Sequence, residues 1–192
     1  RVFREKVGRF QHVFASYEEI EPNLEGVHEA FEILRGVNFV AAHGERLKKH
    51  RDLLGPNIIE NVERALGFSL EDVAWAHNQQ TKLYRNMLTF YDDFDILICP
   101  TAAVSPYPHS ELTVSQVNGE KMPTYMRWLA LSYGLTMTLP AVCSIPVGFD
   151  HKGLPFGIQI AGPNQSDHFV LRVALALENH LKTDDSLSRP IP

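Results

Sequence analysis

Apolar residues recur every three or four positions through the first half of the chain and gather into short continuous runs in the second. Phe3, Val7, Phe10 and Phe14 keep helical spacing and predict an amphipathic opening helix. The stretch 17–21 reads as a short strand closed by Pro22-Asn23. A helix is predicted over 27–34 with Gly36 as its stop. A basic-rich helix is predicted over 45–54, ended by Gly55. Pro56 suits the first turn of the next helix, where its missing N–H would be unpaired anyway. That helix carries Ile59, Val62 and Leu66 and stops at Gly67. Ser69-Leu70-Glu71-Asp72 has the form of a capping box with Asp in place of Glu. Val73, Ala76, Gln80, Leu83, Met87 and Phe90 then form one stripe, with Gln80 expected at its rim.

The second half changes period. Phe94-Asp95-Ile96-Leu97-Ile98-Cys99 reads as a strand that ends at Pro100-Thr101. A long polar, proline-bearing loop is expected over 101–123. A helix is predicted over 125–135. The runs 141–149 and 156–161 read as two strands joined by the turn Asp150-His151-Lys152-Gly153. Pro146 cannot donate to a ladder, so it marks an edge or a bulge. Asp167 is expected to cap a last helix whose apolar face includes Val170, Leu171, Ala174, Leu175 and Leu177. The tail 182–192 is expected to be disordered. Strands separated by helices give an α/β class with a small mixed sheet flanked by helices. The chain divides into a mainly helical segment, 1–93, and a sheet-and-helix core piece, 94–181, that is not an independent domain.

Composition narrows the function. The net charge is −5, so no basic field exists for a nucleic-acid backbone. No apolar run has the length of a membrane span. The first residues carry no signal-peptide core and no initiator Met, and the chain is expected to be cut from something longer. The two cysteines, Cys99 and Cys143, lie in apolar runs and read as buried and reduced, which points to a cytoplasmic setting.

Residue patterns by themselves yield no catalytic centre. There is no His-Glu-x-x-His and no close histidine pair on a helical face, so no metal site is expected. No glycine-rich dinucleotide or phosphate loop occurs, and no cofactor is expected. Gly-x-Ser-x-Gly and Ser-x-x-Lys are absent too. Asp92, Asp93 and Asp95 read as a solvated cap, and His109 and His168 as surface or loop residues.

The segment Phe94-Asp-Ile-Leu-Ile-Cys-Pro-Thr101 resembles a strand of the amidase signature enzymes, Phe/Tyr-Asp-x-Leu-Leu-x-Pro-Thr. Leu139-Pro-Ala-Val-Cys-Ser-Ile-Pro-Val-Gly-Phe149 with Gly153-Leu-Pro-Phe-Gly-Ile-Gln-Ile-Ala-Gly162 is similar to that family's Leu-Pro-Ala hairpin. Phe169-Val-Leu-Arg-Val-Ala-Leu-Ala-Leu-Glu178 resembles its final helix. The likeness covers about 94–181. It implies the C-terminal portion of the amidase signature fold. It also implies an acyl-enzyme hydrolysis by a serine, a second serine and a neutral lysine. Nothing here matches the family's Gly-Gly-Ser-Ser-Gly-Gly, so no catalytic residue is assigned and these residues alone are expected to be inactive.

The resemblance places Pro100, Thr101 and Ala102 at the floor of an acyl pocket and Trp128, Leu131, Ser132, Leu135 and Thr136 along one side. The plain alternative stays open: Pro100 merely ends a strand and Trp128 merely fills core. Where the family often has Asn-Leu-Thr-Gly, this chain has Leu135-Thr136-Met137-Thr138, which implies a more apolar wall and an aryl or alkyl acyl group. The expected partner is a small amide substrate. The competing readings are a non-catalytic scaffold of the same fold and an amidotransferase A-type subunit. The latter's Asp-x-Phe-Thr-x-Pro-Ala-Asn run is missing here. Exposed sheet edges are expected to promote self-association or homo-oligomers, with partial disorder over 101–123.

Overall fold

The computed structural model describes residues 1–187. The chain forms two compact units, Asn23–Asn86 on one hand and Arg1–Pro22 with the chain from Met87 onward on the other.

The unit Asn23–Asn86 is helical. It holds helix α2 (Val27–Lys49), helix α3 (Pro56–Ala65) and most of helix α4 (Leu70–Asp93). The two helices expected on either side of Gly36 are one helix of 23 residues. Gly36 does not stop it, because this glycine serves contact rather than termination. A Cβ there would stand 2.8 Å from Ala65 Cβ and 3.0 Å from the Phe68 ring. Glycine thus lets α3 approach α2 closely. The buried face of α3 is Asn61, Val62 and Ala65. Leu66, expected on that face, is exposed. Asn61 is satisfied there, accepting from Arg35 and donating to the Asn57 carbonyl.

The capping box at the start of α4 forms as expected. Ser69 N–H donates to the Asp72 carboxylate at 2.7 Å, and Asp72 N–H donates to Ser69 Oγ at 3.1 Å. Those bonds to Ser69, backbone first and hydroxyl second, hold Asp72 below the usual carboxylate range. Ala76, Leu83 and Met87 are buried along one stripe, with Gln80 half-buried beside them.

The second unit is built on three strands, Leu97–Pro100 (β1), Ala141–Phe149 (β4) and Pro155–Gly162 (β5). They form an antiparallel sheet in the order β1-β5-β4. The three apolar runs of the sequence therefore share one sheet. Helix α6 (Asp167–Leu181) covers one face, setting Val170, Ala174, Leu177 and Leu181 against Ile145, Val147, Ile158 and Ile160. Helix α1 (Val2–Phe10) adds Val7 and Phe10 to the same core. Val170, Ala174 and Leu177 are buried as expected, but Leu171 and Leu175, assigned to the same face, are exposed, because the inward stripe continues to Leu181. Ser166, not Asp167, holds the N-cap position. Its hydroxyl donates to the Pro163 carbonyl, while Asp167 sits in the first turn, where a negative charge suits the helix dipole.

Four local expectations fail. Residues 17–21 have no ladder partner and form no strand, and Tyr17 and Ile20 are exposed. The loop 101–123 contains a small hairpin, β2 (Gln116–Val117) with β3 (Glu120–Lys121). Asn118 and Gly119, both at positive φ, make its turn. The tail is ordered as far as Leu187, which is only 2% exposed. Arg9 pairs with Asp184 at 2.7 Å, and Lys6 Nζ donates to the Ser186 carbonyl at 2.8 Å. Residues 188–192, the rest of that expected tail, lie outside the described residues. The helix expected over 125–135 is a 3-10 turn, Arg127–Leu129, followed by helix α5 (Ala130–Thr136).

The glycine contacts in α2 predict opposite signs for two like substitutions. Gly44→Ala has room, its Cβ meeting only Val40 at 3.6 Å. It should stabilise by about 0.5–1 kcal/mol through helix propensity. Gly36→Ala gains the same propensity but drives a methyl into Ala65 and Phe68, which costs about 1–3 kcal/mol and leaves a net loss. Urea denaturation of the two variants measures both signs.

Candidate functional site

The end of β1 and the β4–β5 turn lie at the same end of the sheet. Antiparallel pairing sets this, with Leu97 opposite Ala161 and Pro100 opposite Ile158. Pro100 closes an edge strand, where a missing N–H is tolerated. Thr101 N–H continues the ladder by donating to the Gly157 carbonyl at 3.1 Å. Gly157 leaves space for the Thr101 side chain, since a Cβ there would stand 3.2 Å from Thr101 Oγ1. Thr101 Oγ1 also shares a hydrogen bond of 3.0 Å with Ser144 Oγ on β4.

Beyond this strand end opens a cavity of about 320 Å³. Thr101, Ala102, Gly157 and Phe156 line it from the sheet side, and Tyr107 and Trp128 from the segments that follow. The Tyr107 and Trp128 rings stand edge to face, with centroids 5.6 Å apart.

Of the residues assigned to the pocket from sequence, Thr101, Ala102 and Trp128 line this cavity. The other five do not. Pro100 and Leu131 offer their carbonyls to a shared partner. Ser132 is exposed and bonds the Thr101 carbonyl at 3.4 Å. Thr136 is exposed and bonds the Ser132 carbonyl. Leu135 is buried in the interior.

The shared partner is Gln159, which sequence reasoning passed over. Its side chain is buried, and Nε2 donates to the Pro100 carbonyl at 3.0 Å and the Leu131 carbonyl at 3.1 Å. One amide thus ties the end of β1 to the first turn of α5. Gln159 stood out in the sequence as a polar residue inside an apolar strand run, a pattern that signals a buried hydrogen-bonded group. Asp150 was likewise read only as a turn residue, yet it lines the cavity. Its Oδ1 accepts from Lys152 N–H at 2.8 Å and Leu154 N–H at 3.0 Å. Burial pushes its pKa up, but the Ser105 hydroxyl, those two N–H groups and His151 outweigh it, and the carboxyl stays below the usual range. Oδ2 is buried without a well-aligned hydrogen bond, so Ser105 acts on it as a nearby dipole. Burial pushes the Cys99 thiol up to about 11, opposed by the dipole of the nearby Gln159 amide. Cys99 is therefore protonated near neutrality and is no nucleophile. Among the described residues no cluster of His, Cys, Asp and Glu could hold a metal ion, and no helix is long and apolar enough to cross a membrane.

Two measurements probe this site. Gln159→Leu keeps the volume but leaves two carbonyls without their donor, which should cost about 1–3 kcal/mol in urea denaturation. A change below about 0.5 kcal/mol would mean that water replaces the amide. Cys99, with its thiol pKa raised to about 11 from 9.0, should react with iodoacetamide at pH 8 about a hundredfold more slowly than an unperturbed thiol. Because the folded pKa exceeds the unfolded one, the associated stability is intact below pH 9 and is lost as pH rises toward 11.

A family model described as Amidase matches residues 42–171, more than half of the chain. An acylamidase of Rhodococcus erythropolis is 29% identical over 121 residues, covering 63% of this chain and 25% of the acylamidase. The A-type subunit of the glutamyl-tRNA(Gln) amidotransferase of Acidobacterium capsulatum is 34% identical over 137 residues, covering 68% of this chain and 25% of that protein. The chain thus spans about a quarter of the length of these curated relatives. A solved structure of a bacterial aryl acylamidase of the amidase signature family superposes with a TM-score of 0.81. That match covers 99% of this chain and 42% of that one at 21% identity, a likeness of fold. The family pattern reaches back across α3 and α4, further than the strand and hairpin motifs alone extend. Sequence pattern and sheet order agree, and the chain belongs to the Amidase family, the amidase signature enzymes.

Proposed function

We propose that residues 1–192 form the substrate-cradling part of an enzyme that hydrolyses a small carboxamide through an acyl-serine intermediate. In this reading a serine oxygen attacks the amide carbon. The C–N bond breaks as the leaving nitrogen takes a proton, and water then cleaves the ester. The serine, its lysine base and the oxyanion donors come from sequence outside these residues. The observation that carries the reading is the cavity at the end of β1, where Thr101 and Ala102 face the Trp128 ring. A strand end that opens on an apolar cavity with a few polar groups has the form of a small-molecule site.

The aryl or alkyl preference now rests on different residues. Leu135, Met137 and Thr138 are buried, so the bulk of this segment fills the interior. Apolar character in the cavity comes from Tyr107, Trp128 and Phe156. The second reading, an amidotransferase A-type subunit, draws support from the 34% identity to the Acidobacterium protein. In that case the released ammonia would be retained for an acceptor, and unaltered hydrolysis to free ammonia argues for the first reading.

The test uses the enzyme that contains these residues, assayed on anilides with acetyl and phenylacetyl groups. Trp128→Ala should lower the kcat/KM ratio of phenylacetyl to acetyl substrate by about tenfold or more, the scale of lost pocket contacts. A fall in Tm with an unchanged ratio would make Trp128 a core residue. Residues 1–192 alone should release no aniline, and measurable turnover by them would overturn the assignment of the nucleophile elsewhere.

A further inference from the structure

Among the described residues the cavity lining contains one carboxylic acid, Asp150, and no lysine, arginine or histidine, beside the three rings of Tyr107, Trp128 and Phe156. The Tyr107 and Trp128 rings meet at 87°, so they form two walls of a corner. An organic cation set in such a corner meets the negative face of one ring while touching the other. Asp150 adds a negative charge to the same lining. It stays ionised because the Ser105 hydroxyl, two backbone N–H groups and His151 outweigh the effect of burial, and with Oδ2 buried its charge acts on the cavity through the field rather than through that oxygen. The nearest basic side chains in sequence, His151 and Lys152, are exposed and do not line the cavity.

We propose that this cavity selects a ligand group bearing an organic ammonium, held between the Tyr107–Trp128 corner and the Asp150 carboxylate. This inference rests on the cavity being the substrate site. It makes the favoured acyl or amine portion a cationic one rather than simply an aryl or alkyl one. The competing role of Asp150 is confined to the turn, where its Oδ1 accepts two N–H groups. An asparagine oxygen performs that role equally well but carries no charge. Charge is therefore the property that separates the two roles.

The experiment titrates the full chain with choline and with its uncharged isostere 3,3-dimethylbutan-1-ol, following the indole N–H resonance of Trp128 by NMR. Choline should bind about five- to tenfold tighter than the alcohol, the range expected of cation–π and carboxylate attraction in a partly desolvated site. Asp150→Asn should remove most of that ratio and leave the affinity for the alcohol unchanged. Trp128→Leu, which removes the indole reporter and is followed by titration calorimetry instead, should weaken both ligands. Equal binding of the two ligands by the unaltered chain overturns the ammonium assignment and leaves the cavity as a neutral site. If neither ligand shifts the Trp128 resonance, the cavity is no ligand site, and the reading beneath the inference falls as well. The ratio on the unaltered chain decides even if Asp150→Asn does not fold.

Discussion

A single buried amide holds the candidate site together. Gln159 Nε2 donates to carbonyls on two different elements, the end of β1 and the first turn of α5. A buried carbonyl left without a donor costs about 1–3 kcal/mol. The amide therefore does more than add two bonds of modest net worth. It removes a penalty that would otherwise push the strand end and the helix apart toward water. The Trp128 wall leads directly into α5, and the Thr101 wall follows directly from β1. Both walls therefore inherit their spacing from this contact, and an apolar residue at 159 could fill the volume without setting that distance.

Alternation along β5 explains how one strand serves both core and site. Ile158 and Ile160 join the core cluster with Val170 and Leu177. A Cβ at Gly162 would also meet Val170, on that same helix. Gly157 and Gln159, at the odd positions between, turn to Thr101, Pro100 and Leu131. Side chains in a strand alternate with a period of two, so a slip of one residue would bury Gln159 against α6 and send Ile158 to the cavity. The bulge between Pro146 and Phe149 lies outside this segment and leaves the register of 158–162 intact. Gly148, at φ +75°, absorbs the bulge, and the Ser186 carbonyl packs where its Cβ would be.

Much of this was legible in the chain. Strong periodic signals gave α4 and the β4–β5 hairpin, because each is fixed by local pattern and turn chemistry, whereas the pairing of β1 with β5 joins distant positions and was implied only by the family resemblance. Glycine misled at Gly36, since the same residue permits a helix to end or two helices to touch, and only the Ala65 and Phe68 contacts tell which. Leu171 and Leu175 misled because a helix with apolar residues on most of its circumference has no single face until a sheet selects one. Trp128, Thr101 and Ala102 could be placed around one cavity by family resemblance, but the Gln159 clamp could not. A polar residue in an apolar run announces that it is buried and bonded without naming its partners, which here lie 28 and 59 positions away.

The topology also accounts for the position of the acid. β1 runs antiparallel to β5, so its C-terminal end must arrive beside the start of β5 and hence beside the turn 150–153. A turn that reverses this tightly favours a side-chain oxygen that accepts backbone N–H groups, and Asp150 accepts two of them. Asparagine or serine meets that local need without charge, so the turn alone does not call for a carboxylate. Placing an ion beside three aromatic rings costs desolvation, and here one carboxylate oxygen is buried without an aligned donor. The Ser105 hydroxyl, the two turn N–H groups and His151 outweigh that cost, so the fold itself keeps the carboxyl ionised. A ligand group of opposite sign in the cavity would meet that charge, and the aromatic corner in the same lining offers it a second attraction.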